Sequence, residues 1–301
     1  MRFTASLRSL TRRAFPALVV ALLALPASGA LWLEGPQSTF ETAGPVAADQ
    51  LKLFYYTLIL ATILFVLTGT ALAIATFKFR ARTEADEHAA PPPQSHGNPM
   101  VELGLTIGSI ICLLFIAVPT LRSIKYTYDV PGGETPAKLA KLVEEGKAYR
   151  IKSTAYQWWF KFEYPTEKTA TGTDLVTANE LVIPAGIPVH IDLRTGDVIH
   201  SFWVPKLGGK TDMIPNRANH VWLEADKPGY YFGQCAEYCG DSHSIMKFRV
   251  VALAKDDFAK WLAAQKQPAR AAAPIAATPA AAGTMAVLKD LSNRDPFVPL
   301  A

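Results

Sequence analysis

The sequence predicts an all-β sandwich or barrel domain preceded by a two-helix transmembrane hairpin. Three observations carry that prediction. Two long uncharged apolar runs lie in the first 121 residues, short alternating segments bounded by turn residues follow from about Tyr149, and the loop Cys235–Met246 is dense in Cys, His and Met.

The first 30 residues have the layout of a secretory signal: Arg2, Arg8, Arg12 and Arg13, then the apolar run Ala14–Leu25, then small residues Ala27-Ser28-Gly29-Ala30. The apolar run is short for a membrane span. The whole chain carries 30 basic and 26 acidic residues, and these four arginines account for the excess of +4. The remainder is neutral, which excludes a nucleic-acid footprint.

Residues 31–127 then form an N-terminal segment and the hairpin. Leu53–Phe77 and Leu103–Leu121 are uncharged, 25 and 19 residues long, and each suffices to cross a hydrocarbon core of about 30 Å as a helix. The second carries Gly104, Gly108 and Pro119 as possible breaks. Lys78, Arg80 and Arg82 in the connecting loop favour its cytoplasmic placement, although Arg122 and Lys125 at the far end dilute that bias. The C-terminal domain is therefore expected outside the cytoplasm, in the periplasm of a bacterium, with the spans in the inner membrane.

Residues 128–266 form the β domain. Ala148–Ala155, Trp158–Tyr164, Glu180–Ile183, Val189–Leu193, Val221–Leu223 and Met246–Leu253 read as strands. Pro184–Pro188 and Lys227-Pro228-Gly229 read as turns. Glu134–Lys147 and Asp256–Lys266 read as helices. Residues 267–301 are a linker and tail, of which the Ala/Pro-rich tract Pro268–Gly283 cannot form a core.

The chemistry concentrates in Cys235-Ala-Glu237-Tyr-Cys239-Gly-Asp-Ser-His243-Ser-Ile-Met246. Two cysteines four apart in an exported chain can be a disulfide, but a flanking imidazole and thioether turn the set towards a metal. Zinc sites prefer paired Cys-x-x-Cys units without a thioether, and copper takes thiolate, imidazole and thioether together. His200, in Val198-Ile199-His200-Ser201-Phe202, reaches the same loop if a sheet connects them. His88, His96, His190 and His220 read as structural or solvated, and Cys112 as a small apolar side chain within a span.

Together with Leu207-Gly-Gly-Lys-Thr-Asp212-Met-Ile-Pro215-Asn-Arg217 and Gly229–Met246, these motifs resemble subunit II of the haem–copper cytochrome c oxidases over roughly Leu51–Gln265. The resemblance implies a cupredoxin-like domain with a binuclear copper (CuA) centre. Cys235 and Cys239 would bridge the two coppers, with His200 and His243 as imidazole ligands. Met246 would be a weak thioether ligand, and the Glu237 backbone carbonyl would complete the set. The Glu237 side chain would face a Mg²⁺ shared with subunit I. Trp158, the Trp after Gln in Tyr156-Gln157-Trp158-Trp159-Phe160, would be where electrons arrive. Glu102 at the start of the second span would stand at the mouth of a proton path into subunit I, although Leu105 and Ser109 depart from the family's usual Trp and Pro.

The implied function is to accept electrons from a cytochrome c and pass them to the haem of subunit I, where O₂ reduction is coupled to proton pumping. Subunit III is a further expected partner. The chain alone is not catalytic. Residues 130–250 carry fourteen acids and fourteen bases, so a basic donor would need a local acidic patch, with Asp197, Glu163 and Asp241 as candidates. The competing reading is a membrane-anchored copper chaperone or assembly factor. Two spans and Met246 argue against it.

Overall fold

The computed structural model describes residues 33–91, 94 and 96–267. The expected signal and all but the first residue of the expected tail lie outside that range. Two long helices lead into the sandwich, α1 (Pro45–Lys78) and α2 (Pro99–Tyr128). Pro45 and Pro99 occupy first-turn positions, where a missing N–H costs nothing, and the Asn98 side chain caps α2. At 1.5 Å per residue they are about 50 and 45 Å long, well beyond a hydrocarbon core of about 30 Å.

The extra turns reach the sandwich. Val46 and Ala47 in α1 and Ser123 in α2 are buried. Gly208, at φ +95°, lets the chain pass so close that a Cβ there would lie 2.7 Å from the Val46 side chain. Trp222 donates its indole N–H to the Tyr126 carbonyl at 3.2 Å and meets that ring edge-on. Gly104, Gly108 and Pro119 do not interrupt α2, so the helix runs past the expected breaks; helices in lipid tolerate such residues because helix is the only way to satisfy the backbone there.

Ten strands form two five-stranded sheets. In chain order they are β1 (Tyr149–Tyr156), β2 (Trp159–Lys168), β3 (Asp174–Ala178), β4 (Glu180–Pro184), β5 (Val189–Thr195), β6 (His200–Val204), β7 (Gly208–Met213), β8 (Asn219–Leu223), β9 (Gly229–Cys235) and β10 (Lys247–Leu253). One sheet runs β3-β2-β1-β5-β8 and the other β4-β10-β9-β6-β7. β1 pairs parallel with β5 and β10 parallel with β4, while the other pairings are antiparallel. Two packed sheets with crossovers form the sandwich of a cupredoxin-like domain.

Period-two patterning explains the core. In β2, Phe160, Phe162 and Tyr164 point inward and are fully buried, while Trp159, Lys161 and Glu163 are partly exposed. Phe248 of β10 packs on Phe160 at 4.7 Å and on Phe202 of β6 at 4.9 Å between ring centroids. Helix α3 (Pro136–Glu144), capped by the Thr135 hydroxyl, buries Leu139 against Val130, Ala148 and Trp222. Helix α4 (Lys255–Gln265) lays Phe258 over Val182 and Val251. Both helices start within two residues of the positions the sequence predicts.

Candidate metal centre

The ligand residues arrive from three strands of one sheet. β6 opens with His200, β9 ends with Cys235, and β10 starts one residue after Met246. Phe202 pairs with Cys235 across β6 and β9. Cys235 N–H donates to the Met246 carbonyl at 3.0 Å, and Ala236 N–H to the Ser201 carbonyl at 3.1 Å. These ladder bonds fix the relative heights of the three side chains before the intervening loop is considered. A single 3-10 turn, His243–Ile245, then carries His243 back towards Cys239.

The donors converge. Sγ of Cys235 and Cys239 lie 3.8 Å apart, both as free thiols. His200 Nδ1 is 3.8 Å from Cys235 Sγ, and His243 Nδ1 is 3.6 Å from Cys239 Sγ. Met246 Sδ is 3.6 Å from Cys239 Sγ, and the Glu237 carbonyl oxygen is 3.2 Å from Cys235 Sγ. His200, Cys235, Cys239 and Met246 are all at most 5 % exposed. His200, Cys235 and Cys239 form the metal-competent cluster found among the described residues.

The electrostatics favour a shared negative charge. Burial pushes the Cys235 thiol up, but hydrogen bonds from the His200 imidazole, the backbone at Glu237 and Ser201, and His243 outweigh it and hold the pKa at about 6. Burial and the neighbouring Cys235 charge push Cys239 up to about 12. A cation between the sulfurs would remove that conflict. Two metal–sulfur bonds of about 2.3 Å meeting near the tetrahedral angle span about 3.8 Å, the separation these sulfurs have. The donor set of thiolate, imidazole, thioether and carbonyl therefore fits a soft metal, copper before zinc.

His200 is held from behind. Its Nε2 lies 2.8 Å from Asp197 Oδ1, which leaves Nδ1 to face the thiolates. The same carboxylate accepts the Gln157 and Val198 backbone N–H groups, each at 2.7 Å. Asp197 is thus engaged in the site while remaining exposed at the domain surface. Glu163 is likewise committed, to Lys152 and Lys161 at 3.2 Å each, so only Asp241 of the three candidates remains an exposed, unengaged acid.

Trp158 is 37 % exposed, and its Nε1–H donates to the Cys239 carbonyl at 3.3 Å. Gln157 Nε2 donates to that same oxygen at 2.8 Å. Gly240, at φ +118°, sits under this pair: a Cβ there would lie 3.1 Å from Gln157 Nε2 and 3.3 Å from the Trp158 ring. The contacts of Asp197 and Gln157 with the ligand loop are not legible in the sequence, because a carboxylate three residues before a histidine and an amide beside a tryptophan carry no motif of their own.

The remaining predicted residues fall elsewhere. Glu102 is exposed in the first turn of α2, at the end away from the sandwich and about 40 Å along the helix from Tyr128. The Glu237 side chain is exposed while its carbonyl faces the cluster. His190 and His220 have partners after all: their rings stack at 5.0 Å, and Nε2 of each faces a carboxylate, Asp192 at 3.6 Å and Asp129 at 3.1 Å.

Two long apolar helices carrying a cupredoxin-like sandwich with a closed cluster of sulfur and imidazole donors define a membrane-anchored protein with a candidate metal centre. Residues 36–123 match the family model described as the transmembrane domain of cytochrome c oxidase subunit II, and residues 149–253 match that of its periplasmic domain. The chain belongs to this family, as subunit II of a haem–copper oxidase.

A cytochrome c oxidase subunit 2 of Alkalihalophilus pseudofirmus is 37 % identical over 226 residues, 73 % of this chain; the match spans 61 % of that relative, less than two thirds of its length. A quinol oxidase subunit 2 of Bacillus cereus is 30 % identical over 248 residues, 81 % of this chain and 79 % of that protein. A probable cytochrome c oxidase subunit 2 of Rickettsia bellii is 29 % identical, covering 75 % of this chain and 83 % of that one.

Proposed function

We propose that this subunit is the electron-accepting arm of a terminal oxidase, taking single electrons from a cytochrome c at a binuclear copper site and handing them to the haem of subunit I for O₂ reduction coupled to proton pumping. The observation that carries the reading is the closed donor cluster lying directly beneath an exposed tryptophan. Cys235, Cys239, His200, His243, Met246 and the Glu237 carbonyl would hold the metal. When bound, copper supplies a one-electron couple of low reorganisation.

The residues account for the rest. The buried thiolates and Met246 exclude water, so few dipoles must turn when charge changes. Asp197 fixes the His200 tautomer and raises its basicity. The Trp158 indole is the exposed end of a short path, Nε1–H to the Cys239 carbonyl, that leads into the ligand loop. Trp158, Val198, Ile199, Tyr238 and Ile245 are all exposed around that loop, which suits an apolar docking face for a redox carrier.

In this reading the spans lie in the bacterial inner membrane with the copper domain in the periplasm, residues 1–30 are a signal, and subunits I and III are partners. The Glu237 side chain would contribute to a Mg²⁺ shared with subunit I, and Glu102 would serve a proton path. The quinol oxidase relative raises quinol as the alternative donor; a complete set of soft ligands argues for the copper site and a protein donor. Rapid mixing of the purified oxidase with reduced cytochrome c tests this. Wild-type enzyme should be reduced within the mixing experiment and a Cys239→Ser enzyme should not, whereas unimpaired reduction of that variant, or reduction by quinol alone, would contradict it.

A further inference from the structure

We propose that the chain holds an anionic phospholipid headgroup where its helix hairpin meets the sandwich, in a cavity of about 610 Å³ lined by Arg122, Lys125, Tyr126 and Tyr128. Arg122 follows the apolar run Leu103–Leu121 directly, which puts its guanidinium at headgroup depth. Arg122, Lys125 and Tyr126 share one face of α2 at spacings of three and four. Tyr126 and Tyr128 are 38 % and 63 % exposed, as rings at a membrane–water boundary are.

Neither cation in the cavity is ion-paired. Among the described residues neither Arg122 nor Lys125 is within ion-pair distance of a carboxylate. The two acids that line the cavity are already engaged: Asp129 with His220 at 3.1 Å, and Glu134 with Lys138 at 3.0 Å and the Gly132 N–H at 3.1 Å. Arg122 also borders a second cavity of about 230 Å³ between α1 and α2, where Lys52 adds another cation and Asp49 accepts the Ser123 hydroxyl.

A phosphodiester answers this arrangement. Arg122 presents a planar fork and Lys125 a point charge to phosphate oxygens. The exposed Leu121 and Ile124 side chains continue the wall along α2, offering acyl chains the apolar contact that inorganic phosphate cannot use. This site depends on the membrane hairpin and not on the copper centre.

Native mass spectrometry of the delipidated oxidase complex, titrated with phosphatidylglycerol or phosphatidylcholine, tests it. Wild-type complex should prefer phosphatidylglycerol, and an Arg122→Gln, Lys125→Gln double variant should bind it roughly tenfold more weakly, with phosphatidylcholine unchanged. Equal binding of the two lipids by wild type, or undiminished phosphatidylglycerol binding by the double variant, would overturn the proposal. Should the double variant fail to assemble, Lys125→Gln alone should weaken binding in the same direction, and no change would overturn it. A photoreactive group at position 128 should crosslink to phosphatidylglycerol; exclusive crosslinking to another oxidase subunit would also overturn it.

Discussion

Asp197 Oδ1 lies 2.8 Å from Nε2 of His200, while the opposite ring nitrogen faces Cys235 Sγ at 3.8 Å. The imidazole is therefore oriented from outside the cluster by a carboxylate that is itself pinned by two backbone N–H groups. Partners of this kind typically govern metal affinity by 10- to 100-fold, on the order of the ligand's own preorganisation. Asp197→Ala should weaken copper retention against a chelator by roughly 10- to 100-fold while leaving the unfolding temperature of the metal-free chain nearly unchanged. Unaltered retention would show that the ring is held by the sheet alone.

Trp158→Phe keeps an aromatic ring but removes the hydrogen bond to the Cys239 carbonyl. Copper content should stay at the wild-type level while reduction by cytochrome c slows. Equal rates in the two proteins would remove Trp158 from the electron path.

Gly240→Ala places a methyl group where the backbone is left-handed and where Gln157 and Trp158 approach within 3.4 Å. Backbone strain alone costs about 1 to 2 kcal/mol, and displacement of two hydrogen bonds to the Cys239 carbonyl adds to it. Thermal unfolding should fall by several degrees, and the Trp158 fluorescence should shift. A variant as stable as wild type would mean the loop relaxes freely.

Asp192 sits between Arg150, at 2.8 Å, and His190, at 3.6 Å. Burial works against its charge, but the neighbouring His190 imidazole and the hydrogen bond and charge of Arg150 hold the carboxyl far below the usual range. A carboxyl with a lower pKa folded than unfolded stabilises the fold above the unfolded value of about 3.9, and that contribution is lost as pH falls from there towards the folded value. Asp192→Asn should cost about 1 to 3 kcal/mol at pH 7 and flatten the loss of stability below about pH 4. An unchanged acid limb in a denaturation series would contradict the assignment.

The sequence made the hairpin and the ligands legible because their signals are local. Uncharged runs of 25 and 19 residues have few alternatives, and six predicted strands match observed ones to within a few residues. The strands that went unread are β3, β6, β7 and β9. β3 is a five-residue edge strand, Asp174–Ala178, and β7 opens on Gly208-Gly209-Lys210, which mimics a turn. β6, which presents His200, has four of its five positions buried, so alternation is hidden there; β9, which ends at Cys235, does alternate in burial but begins inside the turn signal Lys227-Pro228-Gly229. All the ligands but His200 are legible as residue types in one loop, whereas Asp197 and Gln157 act only through folding that brings residues 157, 197 and 239 together.

In the proposed reading, the cluster holds two coppers as one redox unit. The direct measurement is metal analysis of the purified oxidase combined with electron paramagnetic resonance of its oxidised subunit II centre. Two copper ions per chain sharing one unpaired electron, both lost in Cys239→Ser, is the predicted result. A single copper, a bound zinc, or two copper signals that behave independently would contradict it.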